Sequence, residues 1–247
     1  MLSKRLGNKT ESFFLRLVWQ KIFLEYYLLK IRIVYGMKKL YIILIVFVLA
    51  CLPLCACSRF DSKNVSEFRD EVFVGETDEY SVTIISGYRE TPFSIDGKSD
   101  KKADFTLITV SPASPSPTLT LKCSLTVNEK LFEGDMSKHP FEDTYSFEAN
   151  VRVADLPLLK INDTEIPLAS VKSEDFIDGE KAYKIACEKL SDSEVLGGES
   201  YEVYVRLIEN PVNSQGGYYW YVAFVDGKNT SAVLIDPVTA EVIAQKS

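Results

Sequence analysis

Histidine is almost missing from this chain of 247 residues: there is one, His139, and Pro140 follows it. That argues against both a His–nucleophile dyad and a His-rich metal site. Neither H-E-x-x-H nor G-x-S-x-G occurs, so two common hydrolase signatures are absent. Gly97-Lys98-Ser99 ends like a phosphate-binding loop, but that pattern needs glycine at position 92, where Pro92 stands. Basic charge is scarce beyond the N-terminus. Residues 1–57 hold nine Lys or Arg against two Asp or Glu, so a chain of net −7 leaves −14 for residues 58–247. Such an acidic body lacks the basic footprint that nucleic acid requires. An anionic membrane surface would repel it too, so any anchoring must come from the N-terminus.

Cysteine is sparse and clustered. Cys51, Cys55 and Cys57 close an apolar run, which leaves only Cys123 and Cys187 in the body. In an exported chain those two could pair. Each also falls on an apolar face, where free cysteine acts as a small hydrophobe. Composition is otherwise ordinary for a globular protein, with 46% hydrophobic and 26% charged residues.

What is present starts at Met37. Lys38 and Lys39 precede fifteen uncharged residues, Leu40 to Leu54, and the small Ala56 sits before Cys57. This has the three-part shape of a secretory signal. Leu54-Cys55-Ala56-Cys57 then resembles the lipobox of bacterial lipoproteins. The resemblance implies a diacylglycerol on the Cys57 thiol and cleavage just before it. It also implies a place on the extracytoplasmic face of a bacterial cell membrane. Two acyl chains would hold such a protein, at about 0.8 kcal/mol per buried CH₂. Val48-Leu49-Ala50-Cys51 is a rival box with a shorter apolar core. The alternative is an uncleaved transmembrane helix, for which the stretch to Cys57 is short and Pro53 ill-suited. Because Met37 opens a complete signal, residues 1–36 read as a gene-model extension, or else as a cytoplasmic leader. The expected organisation is therefore 1–36, signal 37–56, tether 57–66, and two domains at 67–171 and 172–247.

The first of these domains reads as β. Leu119, Leu121, Cys123, Leu125 and Val127 alternate with polar residues, and so do Tyr145, Phe147, Ala149, Val151 and Val153. Leu158 to Ile161 and Glu165 to Val171 flank Asn162-Asp163-Thr164 like a hairpin. Six or seven strands predict a β-sandwich of immunoglobulin-like type. Between two of them, Gly87 to Gly97 is read as a loop, and Tyr88, Arg89 and Phe93 make it a candidate binding loop.

After residue 172 the pattern changes. Asp178 is suited to cap a helix over G-E-K-A-Y-K-I-A-C-E-K-L, with Ile177 and Ala182 at staple spacing. Strands follow at Tyr201–Ile208, Tyr218–Val225, Ala232–Ile235 and Glu241–Ile243. One helix on an antiparallel sheet makes the whole α+β. The pieces E-K-A-Y-K-I-A, Y-W-Y-V-A-F and V-L-I-D-P-V-T-A-E-V-I resemble the PepSY family, which implies a non-catalytic module that binds proteins, peptidases among them. The family usually has glycine where this chain has Ala240, so the closing turn is expected to differ. The acids Glu174, Asp175, Asp178 and Glu180 lack Ca²⁺-loop spacing and read as a solvated surface. No cofactor or metal is expected. The resulting expectation is a lipid-anchored protein-binding module, with a carboxylate-using envelope enzyme or a small-ligand binder as alternatives.

Overall fold

The structure is a computed structural model, and it describes residues 62–93, 101–116, 118–198, 201–211, 216–227 and 229–246. All of these lie in one compact unit, Ser58–Ser247. The expected signal segment 37–56, Cys57 and residues 1–36 fall outside the described residues, as does Ser94 to Gly97.

The fold is α+β, mostly sheet, with one α-helix among the described residues. The strands are β1 (Val65–Glu76), β2 (Tyr80–Glu90), β3 (Lys102–Pro112), β4 (Lys122–Val127), β5 (Lys130–Asp135), β6 (Ser137–Lys138), β7 (Tyr145–Ala149), β8 (Leu158–Ile161), β9 (Thr164–Ile166) and β10 (Leu168–Ser170). The helix α1 (Gly179–Lys189) follows, then β11 (Glu202–Glu209), β12 (Tyr218–Asp226), β13 (Asn229–Ile235) and β14 (Val242–Lys246). A ten-stranded sheet runs β14-β13-β12-β11-β1-β2-β3-β7-β6, with β10 also on β1; a four-stranded sheet runs β5-β4-β8-β9. One core lies between the two sheets and includes Ile84, Ile108, Leu125, Tyr145 and Leu159. The third strand stays in the sheet of the first two, whereas the immunoglobulin arrangement sends it to the opposite sheet. After this three-stranded meander the chain alternates between the sheets, with β4–β5 and β8–β9 in the smaller one and β6–β7 and β10 in the larger.

The boundary expected at 171/172 does not divide the sheet. β1 pairs antiparallel with β2 on one side and parallel with β11 on the other. Two cores nonetheless form. The second gathers Ala182, Tyr183 and Ala186 of α1, and Leu190 at its C-cap, against Val203, Val205, Trp220 and Phe224, and β1 adds Val65 and Phe68 to it. The expected tether is shortened, since Val65 and Ser66 open β1 and are buried. Cys123 is buried in the first core and Cys187 lies half-buried against the second, both as free thiols. Burial pushes the Cys123 thiol up to about 12 and raises that of Cys187.

The helix starts as its residues dictate. The Asp178 side chain accepts from Lys181 N at 2.7 Å, satisfying one orphan donor of the first turn. Trp220 Nε1 donates to Ile177 O at 2.9 Å, and Ile177 N donates to Pro237 O at 2.7 Å. These bonds fasten the start of α1 to β12 and to the turn before β14. In that turn Asp236 Oδ1 accepts from Val238 N and Thr239 N, both at 2.8 Å. The bond from Thr239 N leads in holding the Asp236 carboxyl below its ordinary range. Ala240 has φ 62°, so a residue other than glycine takes the left-handed conformation in this turn. An L-residue is strained there, and glycine is not. Ala240→Gly is expected to stabilise the protein by about 0.5–1 kcal/mol, the relief being reduced by added freedom in the unfolded chain. Urea melts should show a higher midpoint at unchanged slope; a lower midpoint would mean the methyl's packing outweighs the strain.

Candidate binding cleft

The register brings residues of both cores onto one face of β1 and β2. Ile84 pairs with Phe73, and Tyr88 pairs with Phe68. Ile84 and Tyr88 are an even number of residues apart on β2, so their side chains share a face. On β1, Phe68 and Phe73 are an odd number apart and share it only because of a bulge between Arg69 and Glu71. Asp70 is the extra residue of that bulge. Bulges bend a strand and re-aim one side chain. Here the re-aimed side chain lines a cleft where the two cores meet.

The cleft holds about 230 Å³ and is lined by Phe68, Asp70, Tyr88, Arg152, Lys172, Asp178, Gly179 and Glu180. At one wall the Phe68 and Tyr88 rings stack, 5.2 Å apart and 4° from parallel. Gly179 closes the helix side: a Cβ there would come within 2.6 Å of Phe68 Cζ. A side chain at 179 would push α1 away from β1. Arg152 Nη2 donates to Asp70 Oδ2 at 2.6 Å, and Lys172 Nζ donates to Glu71 Oε1 at 2.7 Å. Asp70 Oδ1 is buried and accepts no hydrogen bond. Burial raises the Glu71 carboxyl, with the Lys172 bond opposing. Burial likewise pushes the Tyr88 hydroxyl up to about 12, so it is a neutral donor across the physiological range.

The candidate loop residues do not form one site. Tyr88 and Arg89 belong to β2, and consecutive strand residues point to opposite faces. Tyr88 faces the cleft. Arg89 lies on the other face, paired with Glu148 and set 4.7 Å from the Phe105 ring and 5.2 Å from that of Phe93. The acidic run is divided too: Asp178 and Glu180 line the cleft, while Glu174 and Asp175 are exposed in the preceding turn. Among the described residues no three His, Cys, Asp or Glu side chains converge as a metal site would require.

No family model matches the chain, and neither does any curated protein or solved structure. The site is therefore read from its own chemistry. That chemistry is an aromatic wall, two cations already paired with carboxylates, and surplus acceptors at Asp70, Asp178 and Glu180. Asp70, Arg152, Lys172 and Gly179 escape notice in the sequence. Only the odd spacing of Phe68 and Phe73 around charged Arg69-Asp70-Glu71 marks the bulge.

Proposed function

We propose that the mature protein begins at Cys57 and is held by diacylglycerol on the extracytoplasmic face of a bacterial cell membrane. There its acidic body acts as a non-catalytic protein-binding module, with an envelope protein or a peptidase as partner. The observation that carries the anchor is Leu54-Cys55-Ala56-Cys57 at the end of a lysine-led apolar segment. The PepSY-like reading of the C-terminal part is supported by α1 packed on β11–β13 and by the positive-φ turn at Ala240. The 230 Å³ cleft is smaller than the roughly 300–1,000 Å³ typical of sites that enclose a whole small ligand. That favours a site for part of a macromolecule over the small-ligand alternative.

The anchor is tested by the intact mass of protein purified from membranes, beside a Cys57→Ser variant. The expected mass starts at a diacylated Cys57, with the variant retaining its N-terminal segment or leaving the membrane fraction. A wild-type mass that includes residues 40–54 would establish a signal anchor instead. The binding reading is tested by cross-linking the anchored protein in its own envelope and by adding it to secreted peptidases. The absence of both a reproducible cross-linked protein and a slowed peptidase would count decisively against it.

A further inference from the structure

We propose that the cleft at the start of α1 receives one basic side chain, lysine or arginine, presented by a protein partner. This rests on the binding-module reading and adds to it the chemistry that the partner must carry. The first argument is the count of hydrogen-bonding groups. Both cations in the cleft are engaged, Arg152 by Asp70 Oδ2 and Lys172 by Glu71. Asp70 Oδ1 is buried with a lone pair unused, a rare state in native proteins and one that asks for a donor. Asp178 and Glu180 add carboxylate oxygens at the same mouth. With both resident cations engaged, what the cleft lacks is a further cationic N–H donor for these remaining oxygens.

The second argument is the aromatic wall. A ring face attracts cations within about 6 Å, and the Tyr88 ring already has Arg152 Cζ at 5.9 Å and Lys102 Nζ at 5.8 Å. A helix N-terminus ordinarily favours anions. In this helix Asp178 and Glu180 already supply the negative charge, and an incoming anion would meet them. A body of net charge −14 would further steer a basic partner towards it. The bulge explains the placement: without the extra residue in β1, Asp70 would not be the side chain aimed between the two cores.

The test uses full-length protein in detergent micelles and three blocked peptides, acetyl-Gly-Lys-Gly-amide and its arginine and glutamate counterparts, titrated by ligand-detected NMR. The basic peptides are expected to bind at least tenfold more tightly than the acidic one. Glu180→Gln and Asp70→Asn are each expected to weaken them by about tenfold, the weight of one charge-assisted contact. Glu180→Gln, at an exposed position, guards against misfolding, and melting temperatures of both variants are compared with wild type. The proposal is overturned if the glutamate peptide binds as well as the basic ones. It is overturned equally if both variants bind lysine and arginine peptides as wild type does. The broader reading fails separately: a partner cross-linked equally well by both variants refutes the cleft alone, whereas basic-peptide binding without any protein partner refutes the module alone.

Discussion

Replacing Glu67 by alanine is expected to lower stability by about 3 kcal/mol, the low end of what breaking a buried ion pair costs. Glu67 is 1% exposed yet charged. Arg69 reaches its Oε1 through Nη2 at 2.6 Å and Nε at 3.1 Å. Arg206 reaches Oε2 through Nε at 2.6 Å, and its Nη2 is also paired there. Arg69 and Arg206 are themselves register partners across the parallel β1–β11 pair. Without the carboxylate, two guanidiniums would lie side by side uncompensated. Both are about a quarter exposed, 23% and 27%, so water recovers part of the loss. Arg69→Ala or Arg206→Ala alone should cost less, about 1.5 kcal/mol, because one arginine still answers Glu67. The double variant should cost more than the sum, since it strands a buried carboxylate. The location adds a second expectation. The β1–β11 pairing is the seam that joins the N-terminal strands to the C-terminal ones in the long sheet, so Glu67→Ala should split urea unfolding into two transitions, or broaden it by weakening cooperativity. A single sharp transition shifted by under about 1 kcal/mol would show that the ladder and apolar contacts hold the seam without the charges.

That seam separates what could be read in the sequence from what could not. The helix was legible because its signals are local: Asp178 as cap, and Ala182, Tyr183, Ala186 and Leu190 on one stripe. Strand β4 was legible because Cys123, Leu125 and Val127 alternate strictly and are buried in that order. The loop at Asn162 was legible as a turn, and its φ of 52° fits asparagine. Strand β1 was hidden. Its segment V-S-E-F-R-D-E-V-F-V-G-E shows no period of two, because the bulge at Asp70 inserts one residue between Phe68 and Phe73. Missing β1 made the two halves look like separate domains, since this strand is what joins them. It also hid the cleft. Asp70, Arg152, Lys172 and Gly179 are spread over more than a hundred residues and meet only through pairings that no local window contains. Tyr88 was noticed for its chemistry but assigned to a loop, and a loop reading cannot tell that Arg89 points the other way.

Gly87→Ala is expected to be damaging well beyond its one added methyl, with a loss of about 3 kcal/mol at the upper end of ordinary overpacking. A Cβ at position 87 would lie 1.9 Å from Phe68 O, 2.9 Å from Phe68 C and 3.0 Å from Arg69 Cα. All three are backbone atoms, so no side-chain rotation relieves the clash. The bulged strand comes this close to β2 because the extra residue, Asp70, bends it there. Two responses are open to the chain: β1 withdraws from β2, or the bulge moves along β1. Either shifts Phe68 from its stack on Tyr88 and re-aims Asp70, so the cleft should change even in molecules that stay folded. In melts, Gly87→Ala should fall well below wild type, while Ser81→Ala, at an exposed position of the same strand, should stay within about 0.5 kcal/mol. In the peptide titration, the folded fraction of Gly87→Ala should lose its preference for lysine and arginine over glutamate. Retention of both stability and preference would mean that the bulge is not what sets the cleft, and that α1 and Arg152 suffice to place it.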